Sequence, residues 1–526
     1  MKSAFPFVCL AMIFFSCNSE EKPAVEQLEE EVSSASSYEE PHRPQYHFSP
    51  AEKWMNDPNG MVFYNGEYHL FYQFYPDSTV WGPMHWGHAV STDLVTWEHL
   101  PIALYPDSLG YIFSGSAVVD ERNTSGFGAD GEPPLVAIFT QHNMDGEKAG
   151  RADYQYQSIA YSNDKGRTWT KYSENPVVPN PGIKDFRDPK VIWHEASNQW
   201  VMVLAAQDQV MFFGSSDLKN WTKLSDFGKQ QGTHAGVWEC PDLFPLTAGE
   251  GGKTKWVLLV SINPGGPNGG SATQYFVGDF DGKNFVLDPG FAKQVANENA
   301  VWLDWGRDNY AGVTWSDIPK LDGRRLFMGW MSNWDYATVV PTEKWRSAMT
   351  LPRELSLKNT GTGYRIFVNP AKELTGNRGR YSKMQTTRPK GKMSLSKDVK
   401  FSPTQMEALL EFEGNLTVEL SNGKGELYRI GYDAAANEFF SDRTKSGRLD
   451  FSDKFAAKVH IAPRTSKSKT VSMRIFFDVA SAELFADGGE TVITDIFFPT
   501  EDFDSADLVF KGKLIKADFY EMKRIW

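Results

Sequence analysis

Residues 91–97 read Ser-Thr-Asp-Leu-Val-Thr-Trp, and this pattern of a small polar turn followed by an aromatic residue recurs along the chain. The further copies are Ser162-Asn163-Asp164-Lys165-Gly166-Arg167-Thr168-Trp169, Ser216-Asp217-Leu218-Lys219-Asn220-Trp221 and, more loosely, Asp279-Phe280-Asp281-Gly282-Lys283-Asn284-Phe285. Each copy follows a short apolar run typical of a strand. Regularly repeated β units of this length predict the blades of a β-propeller. We interpret the repeated aspartates as turn formers, because Asp accepts hydrogen bonds from backbone N–H groups just ahead of it.

Short strands are also predicted before and after the repeats. Met61 to Tyr64 and Tyr68 to Phe74 are apolar and aromatic runs separated by Asn65-Gly66, a strong hairpin signal. Beyond residue 359 a polar, Lys- and Arg-rich segment precedes alternating strands such as Val471–Val479 and Glu490–Phe498, which are typical of a β-sandwich. The fold class predicted from these patterns is all-β, with a propeller followed by a sandwich.

Composition excludes some classes of function. A chain of 526 residues is long for one domain, which agrees with two. The formal net charge is −13 and no basic cluster is present, so a nucleic-acid partner is not expected, because phosphate binding needs concentrated Lys and Arg. The 17 Trp, 20 Tyr and 36 Phe residues suit packed cores, and a few of them in one pocket would suit stacking on sugars.

The N-terminus has the features of an export signal. Residues 1–16 carry one Lys and then an apolar run too short to span a membrane, and Phe14-Phe15-Ser16-Cys17 resembles a bacterial lipobox. We expect Cys17 to carry a lipid anchor and residues 17–43 to form a flexible acidic tether, giving a lipoprotein of the outer membrane or cell surface. The alternative is an ordinary signal peptide with an incidental cysteine and a periplasmic or secreted protein.

Three acidic motifs lie in different predicted blades. Asp57 lies in Trp-Met-Asn-Asp-Pro-Asn-Gly (54–60), Asp188 in Asp-Phe-Arg-Asp-Pro (185–189) and Glu239 in Trp-Glu-Cys-Pro-Asp (238–242). Each motif contains a proline that restricts its backbone. One such motif alone is typical of an ordinary turn, but separate blades can bring all three acids together at the central opening of a propeller.

Paired carboxyl groups at one site suit cleavage of a glycosidic bond. That reaction needs one ionised carboxylate and one protonated acid that donates to the leaving oxygen. We expect Arg187 to keep Asp188 ionised, and Trp238 and Cys240 to provide an apolar setting that raises the pKa of Glu239. Asp57 is expected to stay ionised by accepting hydrogen bonds from its own turn.

Taken together, the motifs resemble those of glycoside hydrolase family 32, the fructan and sucrose hydrolases, and most closely those of exo-acting bacterial levanases. The resemblance covers about residues 44–526 and includes, besides the three acidic motifs, Phe71-Tyr72-Gln73, residues 81–88, Phe113-Ser114-Gly115-Ser116 and residues 329–334. It implies a five-bladed β-propeller catalytic domain over residues 44–358, then a linker and a C-terminal β-sandwich over residues 359–526.

The same resemblance implies the site residues. Asp57 is the implied nucleophile, Glu239 the acid and then the base, and Asp188 with Arg187 the stabiliser of the transition state, with retention of configuration. The remaining implied substrate-binding residues are Trp54, Asn56, Gln73, Trp81, Phe113, Ser114 and Trp334. No cofactor and no metal are implied, and His85 and His88 have the wrong spacing in a strand for a metal pair.

The predicted activity is release of terminal β-fructofuranosyl units from levan, inulin or sucrose. An endo-acting fructanase or a fructosyltransferase on the same scaffold is the alternative, and a non-catalytic fructan-binding lipoprotein is an alternative of another class. One departure from the family pattern is Asn309, which stands where an aromatic residue is usual and puts local packing or an outer subsite in doubt.

Overall fold

The computed structural model describes Met1 and residues 38–361, 363–384 and 391–526. The predicted signal peptide (1–16), the lipidation site Cys17 and most of the tether lie outside the described residues. No helix in the described part of the chain is long and apolar enough to cross a membrane. Contacts separate Met1–Ser36 from Ser37–Trp526, and the fold described below belongs to the second unit.

Residues 38–43, the end of the expected flexible tether, instead pack onto the fold. The ring of Tyr38 stacks on Trp526 at 4.4 Å between centroids. The guanidinium of Arg43 is buried and donates to the carbonyl oxygens of Pro50 and Ala51. Because these contacts hold residues 38–43 against the fold, we propose that the tether ends at about residue 37.

The first three antiparallel sheets follow one another along the chain. The first contains β1 (Lys53–Tyr64), β2 (Glu67–Tyr75), β3 (His85–Ser91) and β4 (Glu98–Leu104). The second contains β5 (Tyr111–Val119), β6 (Leu135–His142), β7 (Gln155–Ser162) and β8 (Thr170–Lys171), with the short helix α1 (Met144–Lys148) after β6. The third contains β9 (Phe186–His194), β10 (Gln199–Ala206), β11 (Gln209–Ser215) and β12 (Thr222–Phe227), with a 3₁₀ turn at Glu195–Ser197.

Two more sheets complete the propeller. The fourth contains β13 (Val237–Thr247), β14 (Thr254–Asn263), β15 (Ala272–Phe280) and β16 (Phe285–Leu287), followed by α2 (Pro289–Glu298). The fifth contains β17 (Tyr310–Thr314), β18 (Arg325–Met331), β20 (Ala348–Met349), β21 (Arg353–Asn359) and β22 (Tyr364–Pro370). A 3₁₀ turn at Ala337–Val339 and the short strand β19 (Trp345–Arg346), which belongs to the first sheet, lie between β18 and β20. The innermost strands β1, β5, β9, β13 and β17 contact one another in a closed ring, and β19 pairs in parallel with β1. The five-bladed propeller is thereby confirmed.

The repeated aspartates form turns, as predicted. Asp93 accepts from the backbone N–H groups of Val95 and Thr96 at 2.8 and 2.7 Å. Asp217 accepts in the same way from Lys219 and Asn220, and Asp281 from Lys283 and Asn284. The repeat in the sequence therefore marks the turn between the third and fourth strands of a blade.

The C-terminal strands form a sandwich from one long folded sheet. Its strands are β23 (Arg378–Lys383), β24 (Gly391–Ser394), β25 (Met406–Ser421), β26 (Leu427–Asp433), β27 (Glu438–Lys445), β28 (His460–Pro463), β29 (Val471–Asp478), β30 (Ser481–Ala486), β31 (Thr491–Ile496) and β32 (Ser505–Met522). Strand β25 pairs with β29 along its first half, with β26 along its second half and with β32 throughout. The two layers enclose a core that includes Leu410, Phe412, Phe477 and Phe519. Further 3₁₀ turns lie at Lys372–Asn377 and Leu395–Lys397.

Strand β22 lies beyond residue 359, where the sequence predicts the division between the two domains. Strand β22 pairs with β21 along its whole length and so completes the fifth blade. We therefore propose that the propeller extends to about residue 370 and that the linker and sandwich follow it.

A buried ionic cluster joins the propeller to the sandwich. Arg353 of β21 donates to Asp304 at 2.9 Å, and to Glu483 of β30 and Thr494 of β31 at 2.6 Å each. His47 bridges Glu483 and Asp478 from the propeller side, and these two acidic partners raise its pKa to about 9 against the opposing effect of burial. Each buried charge in this cluster therefore has a partner of opposite sign.

Arg353→Met should lower the free energy of unfolding by about 3–5 kcal/mol, because it leaves Asp304 and Glu483 buried with too few partners. Arg380→Met is the matched control, since Arg380 pairs with Glu521 on the surface and its side chain is 59% exposed. The control should lose less than about 1 kcal/mol. Denaturant unfolding measures both, and equal losses would contradict a special role for the buried cluster.

Candidate active site

Each innermost strand carries a β-bulge near the level at which the predicted site residues lie. The pairing register shifts around Asn56-Asp57 in β1, Phe113-Ser114 in β5, Asp188-Pro189 in β9, Cys240-Pro241 in β13 and Ala311-Gly312 in β17. A bulge bends a strand and re-aims its side chains. Asp188 and Cys240 take left-handed φ values of 63° and 44° there. The prolines fit these positions because they cannot donate to a strand ladder.

Residues in or next to the bulges of β1, β5, β9 and β13 line one open cavity of about 260 Å³. It is lined by nearly all of the predicted site residues: Asn56, Asp57, Gln73, Trp81, Phe113, Ser114, Arg187, Asp188, Glu239 and Trp334. The structure therefore brings the three predicted acids and the predicted aromatic walls together.

Trp54 is the exception among the predicted substrate-binding residues. It is fully buried beneath the cavity and does not line it. Its indole N–H donates to Asn56 Oδ1 at 2.7 Å, and its ring lies 6.0 Å from that of Trp334, nearly parallel to it. Trp54 thus contacts two lining residues, and its direct contact with substrate stays a prediction.

The Asp57 carboxylate is held by hydrogen bonds from two side chains. Oδ1 accepts from the Asn56 amide at 3.0 Å, and Oδ2 accepts from the Ser114 hydroxyl at 2.8 Å. Burial, and then the charge of Glu239, raise its pKa above the ordinary value, while these hydrogen bonds oppose the rise. Asn56 and Ser114 thus fix the orientation of Asp57 and favour its ionised form.

Asp188 is the most deeply buried of the three acids. Its Oδ2 accepts from the backbone N–H of Cys240 at 3.0 Å, and the Cys240 thiol lies 3.6 Å from both this oxygen and Asp57 Oδ2. Burial raises the pKa of Asp188 to about 7; Arg187 opposes the rise, and the charges of Glu239 and Asp57 add to it. Burial therefore affects the pKa of Asp188 more than Arg187 does, contrary to the expectation that Arg187 keeps this acid ionised.

Arg187 pairs with Glu239 rather than with its neighbour in the sequence. Its guanidinium lies 3.0 Å from Glu239 Oε1 and 2.8 Å from Asp185, but 3.9 Å from Asp188. The other Glu239 oxygen accepts from the hydroxyl of Tyr310. The setting of Glu239 is therefore ionic and hydrogen-bonded. It is not the apolar setting expected from Trp238 and Cys240, because Trp238 is buried in the propeller core against Phe276 and the Cys240 thiol faces the other two acids.

Several lining residues are not apparent from the acidic motifs. Gln155 Oε1 accepts from Arg187 at 3.3 Å, and the Gln155 amide donates to His142, which also contacts Glu147. Burial lowers the pKa of His142 to about 4, so it is neutral at pH 7, and its ring stacks on Phe113 at 4.3 Å. The full set of additional residues that line the cavity or bind its acids is His142, Glu147, Tyr154, Gln155, Asp185 and Tyr310. Only Asp185 had a signal in the sequence, as the first residue of the Asp-Phe-Arg-Asp-Pro motif.

Asn309, the departure from the family pattern, lies away from the cavity. It is buried and its amide donates to Asp304 at 3.1 Å. It thus affects packing beside the interdomain cluster. Among the described residues, no group of three or more His, Cys, Asp or Glu side chains is arranged to hold a metal ion.

Asp188→Asn should stabilise the protein at neutral pH. The folded pKa of Asp188 lies above its unfolded value of about 4, so the native state retains a proton that the unfolded chain releases, and stability falls as pH rises from about 4 to about 7. Removing the charge should therefore add on the order of 2 kcal/mol at pH 7.5 and much less at pH 4.5. Thermal melts at both pH values measure this gain.

Asp217→Asn provides the comparison for this experiment. Asp217 forms a blade turn, and hydrogen bonds from Asn220 and Lys219 outweigh partial burial and lower its pKa. This variant should lose stability at pH 7.5. A loss of similar size in Asp188→Asn would contradict the raised pKa of Asp188.

Comparisons with known proteins place the whole described fold in one family. The family model described as Glycosyl hydrolases family 32 N-terminal domain matches residues 47–370, and Glycosyl hydrolases family 32 C terminal matches residues 371–523. A levanase of Bacillus subtilis (strain 168) is 49% identical over 512 residues, covering 94% of this chain and 72% of that protein. An extracellular exo-inulinase of Aspergillus awamori is 39% identical over 533 residues, covering 94% of this chain and 97% of that protein.

A solved structure agrees with this assignment. The crystal structure of exo-inulinase from Aspergillus awamori superposes with a TM-score of 0.83 at 37% identity, covering 93% of this chain and 100% of that one. The match covers the propeller and the sandwich together. The chain belongs to glycosyl hydrolase family 32 and is a glycoside hydrolase.

Proposed function

We propose that this enzyme is a retaining exo-β-fructosidase that releases terminal β-D-fructofuranosyl units from fructans and from sucrose. The observation that carries the proposal is the convergence of Asp57, Asp188 and Glu239 on one small cavity with Trp81 and Trp334 among its walls. Similarity to a levanase and to exo-inulinases supports fructans as the substrate class.

In the proposed reaction Asp57 attacks the anomeric carbon while Glu239 protonates the departing oxygen. Asn56 and Ser114 hold the attacking carboxylate in place. Glu239 then deprotonates a water molecule that releases fructose from the covalent intermediate. Asp188, beneath both groups, stabilises the positive charge that develops on the sugar ring.

The size of the cavity favours attack at a chain end. Its volume of about 260 Å³ lies below the roughly 300–1,000 Å³ of sites that enclose drug-sized ligands. A terminal sugar and its neighbour fit such a space better than the middle of a polymer. An endo-acting enzyme or a fructosyltransferase on this scaffold is the second candidate, since it would use the same acids. The presence of all three acids argues against a non-catalytic binding protein.

The test is an early product profile on levan, inulin and sucrose, with Asp57→Asn as the inactive control. Free fructose from the first time point is expected on each substrate. A ladder of short oligosaccharides would contradict exo-attack, and products longer than the substrate would indicate transfer. Methanol added as an acceptor should yield methyl β-fructofuranoside if configuration is retained.

We further propose that the protein is exported and anchored through a lipid on Cys17, as the lipobox-like sequence suggests. Cys17→Ala should release the protein from the membrane fraction, because bacterial lipid anchoring depends on that thiol. Cys9→Ala, within the apolar run, is the matched control and should leave fractionation unchanged. Unchanged membrane association of Cys17→Ala would refute the anchor and favour an ordinary signal peptide.

A further inference from the structure

A second, larger cleft of about 620 Å³ opens at the opposite end of the propeller channel. Its walls come from the far ends of the inner strands, including His194 at the end of β9 and Pro245 near the end of β13. Each lies six residues beyond an acid of the active site, Asp188 and Glu239 respectively. At about 3.3 Å per residue these two residues lie roughly 20 Å from the acids. The floor of the cleft comes closer, because Lys190 is two residues from Asp188.

Two residues that line the floor of the cleft carry buried polar atoms that the protein itself does not satisfy. The hydroxyl of Ser316, a residue only 8% exposed, has no hydrogen-bond partner in the described part of the chain, and neither has Nε of Arg325. Lys190, also buried, lines the same floor and donates to the carbonyl of Thr314 at 2.6 Å. Buried polar groups are normally paired, so two unpaired ones in residues that line a cleft point to a ligand or water that completes them.

The charges of the cleft balance. Its charged lining residues are three cations, Lys190, Lys320 and Arg325, and three carboxylates, Glu195, Asp281 and Asp317. His194 is also present, and burial lowers its pKa, so it is neutral at pH 7. A cleft without net charge favours a neutral ligand with many hydroxyl groups over a phosphate, a nucleic acid or a metal ion.

Aromatic side chains form other parts of the wall. Trp193 and Trp256 line the cleft and are each half-buried, with the Phe280 ring packed against Trp256 at 5.4 Å. Flat apolar rings beside hydrogen-bonding groups suit the two surfaces of a sugar, whose C–H face stacks and whose hydroxyls bond.

We propose that this cleft is a second, non-catalytic saccharide-binding site that holds a segment of the same fructan polymer. The identity of the polymer rests on the proposed function; the sugar class rests on the cleft itself. Binding there would keep polymer close to the enzyme and raise the local concentration of chain ends at the active site. Short substrates such as sucrose would gain nothing from it.

The experiment measures retardation of the full chain in native gels containing levan or inulin, with a glucan gel for comparison. Asp57→Asn serves as the background, so that the polymer is not consumed. Adding Trp256→Ala or Ser316→Ala should weaken apparent binding by about threefold to tenfold, the loss of one good contact. Trp256→Phe, which keeps an aromatic ring, should retain most of it. With Asp57 intact, all three variants should hydrolyse sucrose as well as the parent enzyme does.

Ser316→Ala distinguishes a specific loss of polymer binding from a loss caused by misfolding. It removes an unpaired buried hydroxyl, so its melting temperature should be unchanged or higher. Retardation unaffected by both alanine variants would overturn the proposal. The proposal would also be overturned if only Trp256→Ala weakened retardation and the same variant had a lower melting temperature. If the parent enzyme hydrolysed no fructan yet its retardation depended on Trp256 and Ser316, the proposed function would fail and the second site would stand.

Discussion

Asp57→Asn is expected to reduce kcat/KM on sucrose and on fructans by about 10⁴-fold or more, with the fold unchanged. The substitution preserves the shape of the side chain: its amide oxygen can accept from Asn56, and its amide N–H can donate to the Ser114 hydroxyl, which accepts as well as donates. It removes the negative charge that would attack the anomeric carbon and stabilise the positive charge developing there. The loss should therefore fall on kcat more than on KM.

Asp93→Asn is the matched control for this variant. Asp93 lies in the same blade and forms a turn through hydrogen bonds to backbone N–H groups, which an Asn side chain also accepts. Its activity should equal that of the parent enzyme. Because Asp57 lies close to Glu239 and its pKa is raised, Asp57→Asn should also melt at a temperature no lower than the parent. Substantial turnover by purified, folded Asp57→Asn would exclude Asp57 as the nucleophile.

The blades were predictable because their turns are made locally. The aspartate of each repeat bonds the backbone two or three residues ahead, so the pattern needs no information from elsewhere in the fold. Asn65 and Gly66, both with positive φ, likewise form the expected hairpin turn between β1 and β2. The acidic motifs were recognisable for a related reason, since each coincides with a proline-containing bulge of one strand.

What the sequence could not provide is the partner of each side chain across the channel. Adjacency suggested that Arg187 serves Asp188, but the guanidinium lies 3.9 Å from Asp188 and only 3.0 Å from Glu239 on the next blade. Tyr310 reaches Glu239 from the fifth blade, 71 residues away in sequence. The resemblance assigned Trp54 to the substrate, yet its side chain is fully buried and donates a hydrogen bond to Asn56, a contact that the motif does not reveal.

The packing of residues 38–43 could not be predicted from the sequence for the same reason. Its composition continues that of an acidic, Ser-rich stretch and has no apolar periodicity, so it reads as flexible. It is ordered by Trp526 at the far end of the chain, which stacks on Tyr38. Contacts between the two ends of a sequence leave no local pattern.

Glu239→Gln is expected to lower kcat on sucrose by about 10²–10⁴-fold, the usual contribution of a general acid–base group. Gln keeps an oxygen for the hydroxyl of Tyr310, so binding and fold should persist. It cannot donate a proton to the departing sugar. The defect should therefore depend on the leaving group, which separates this role from that of Asp57.

β-Fructofuranosyl fluoride makes that separation measurable, because fluoride departs with little need for protonation. With this donor Glu239→Gln should still form the covalent intermediate and release an initial burst of fluoride, then turn over slowly for lack of a base. Asp57→Asn should give no burst, since the intermediate requires its carboxylate. Glu98→Gln, an exposed position on the outer strand of the first blade, should behave as the parent enzyme. Equal defects of Glu239→Gln with sucrose and with the fluoride in the burst phase would show that Glu239 acts on something other than the leaving group. Its pairing with Arg187 would then be the first interaction to re-examine, since loss of that charge could displace Arg187 from the cavity.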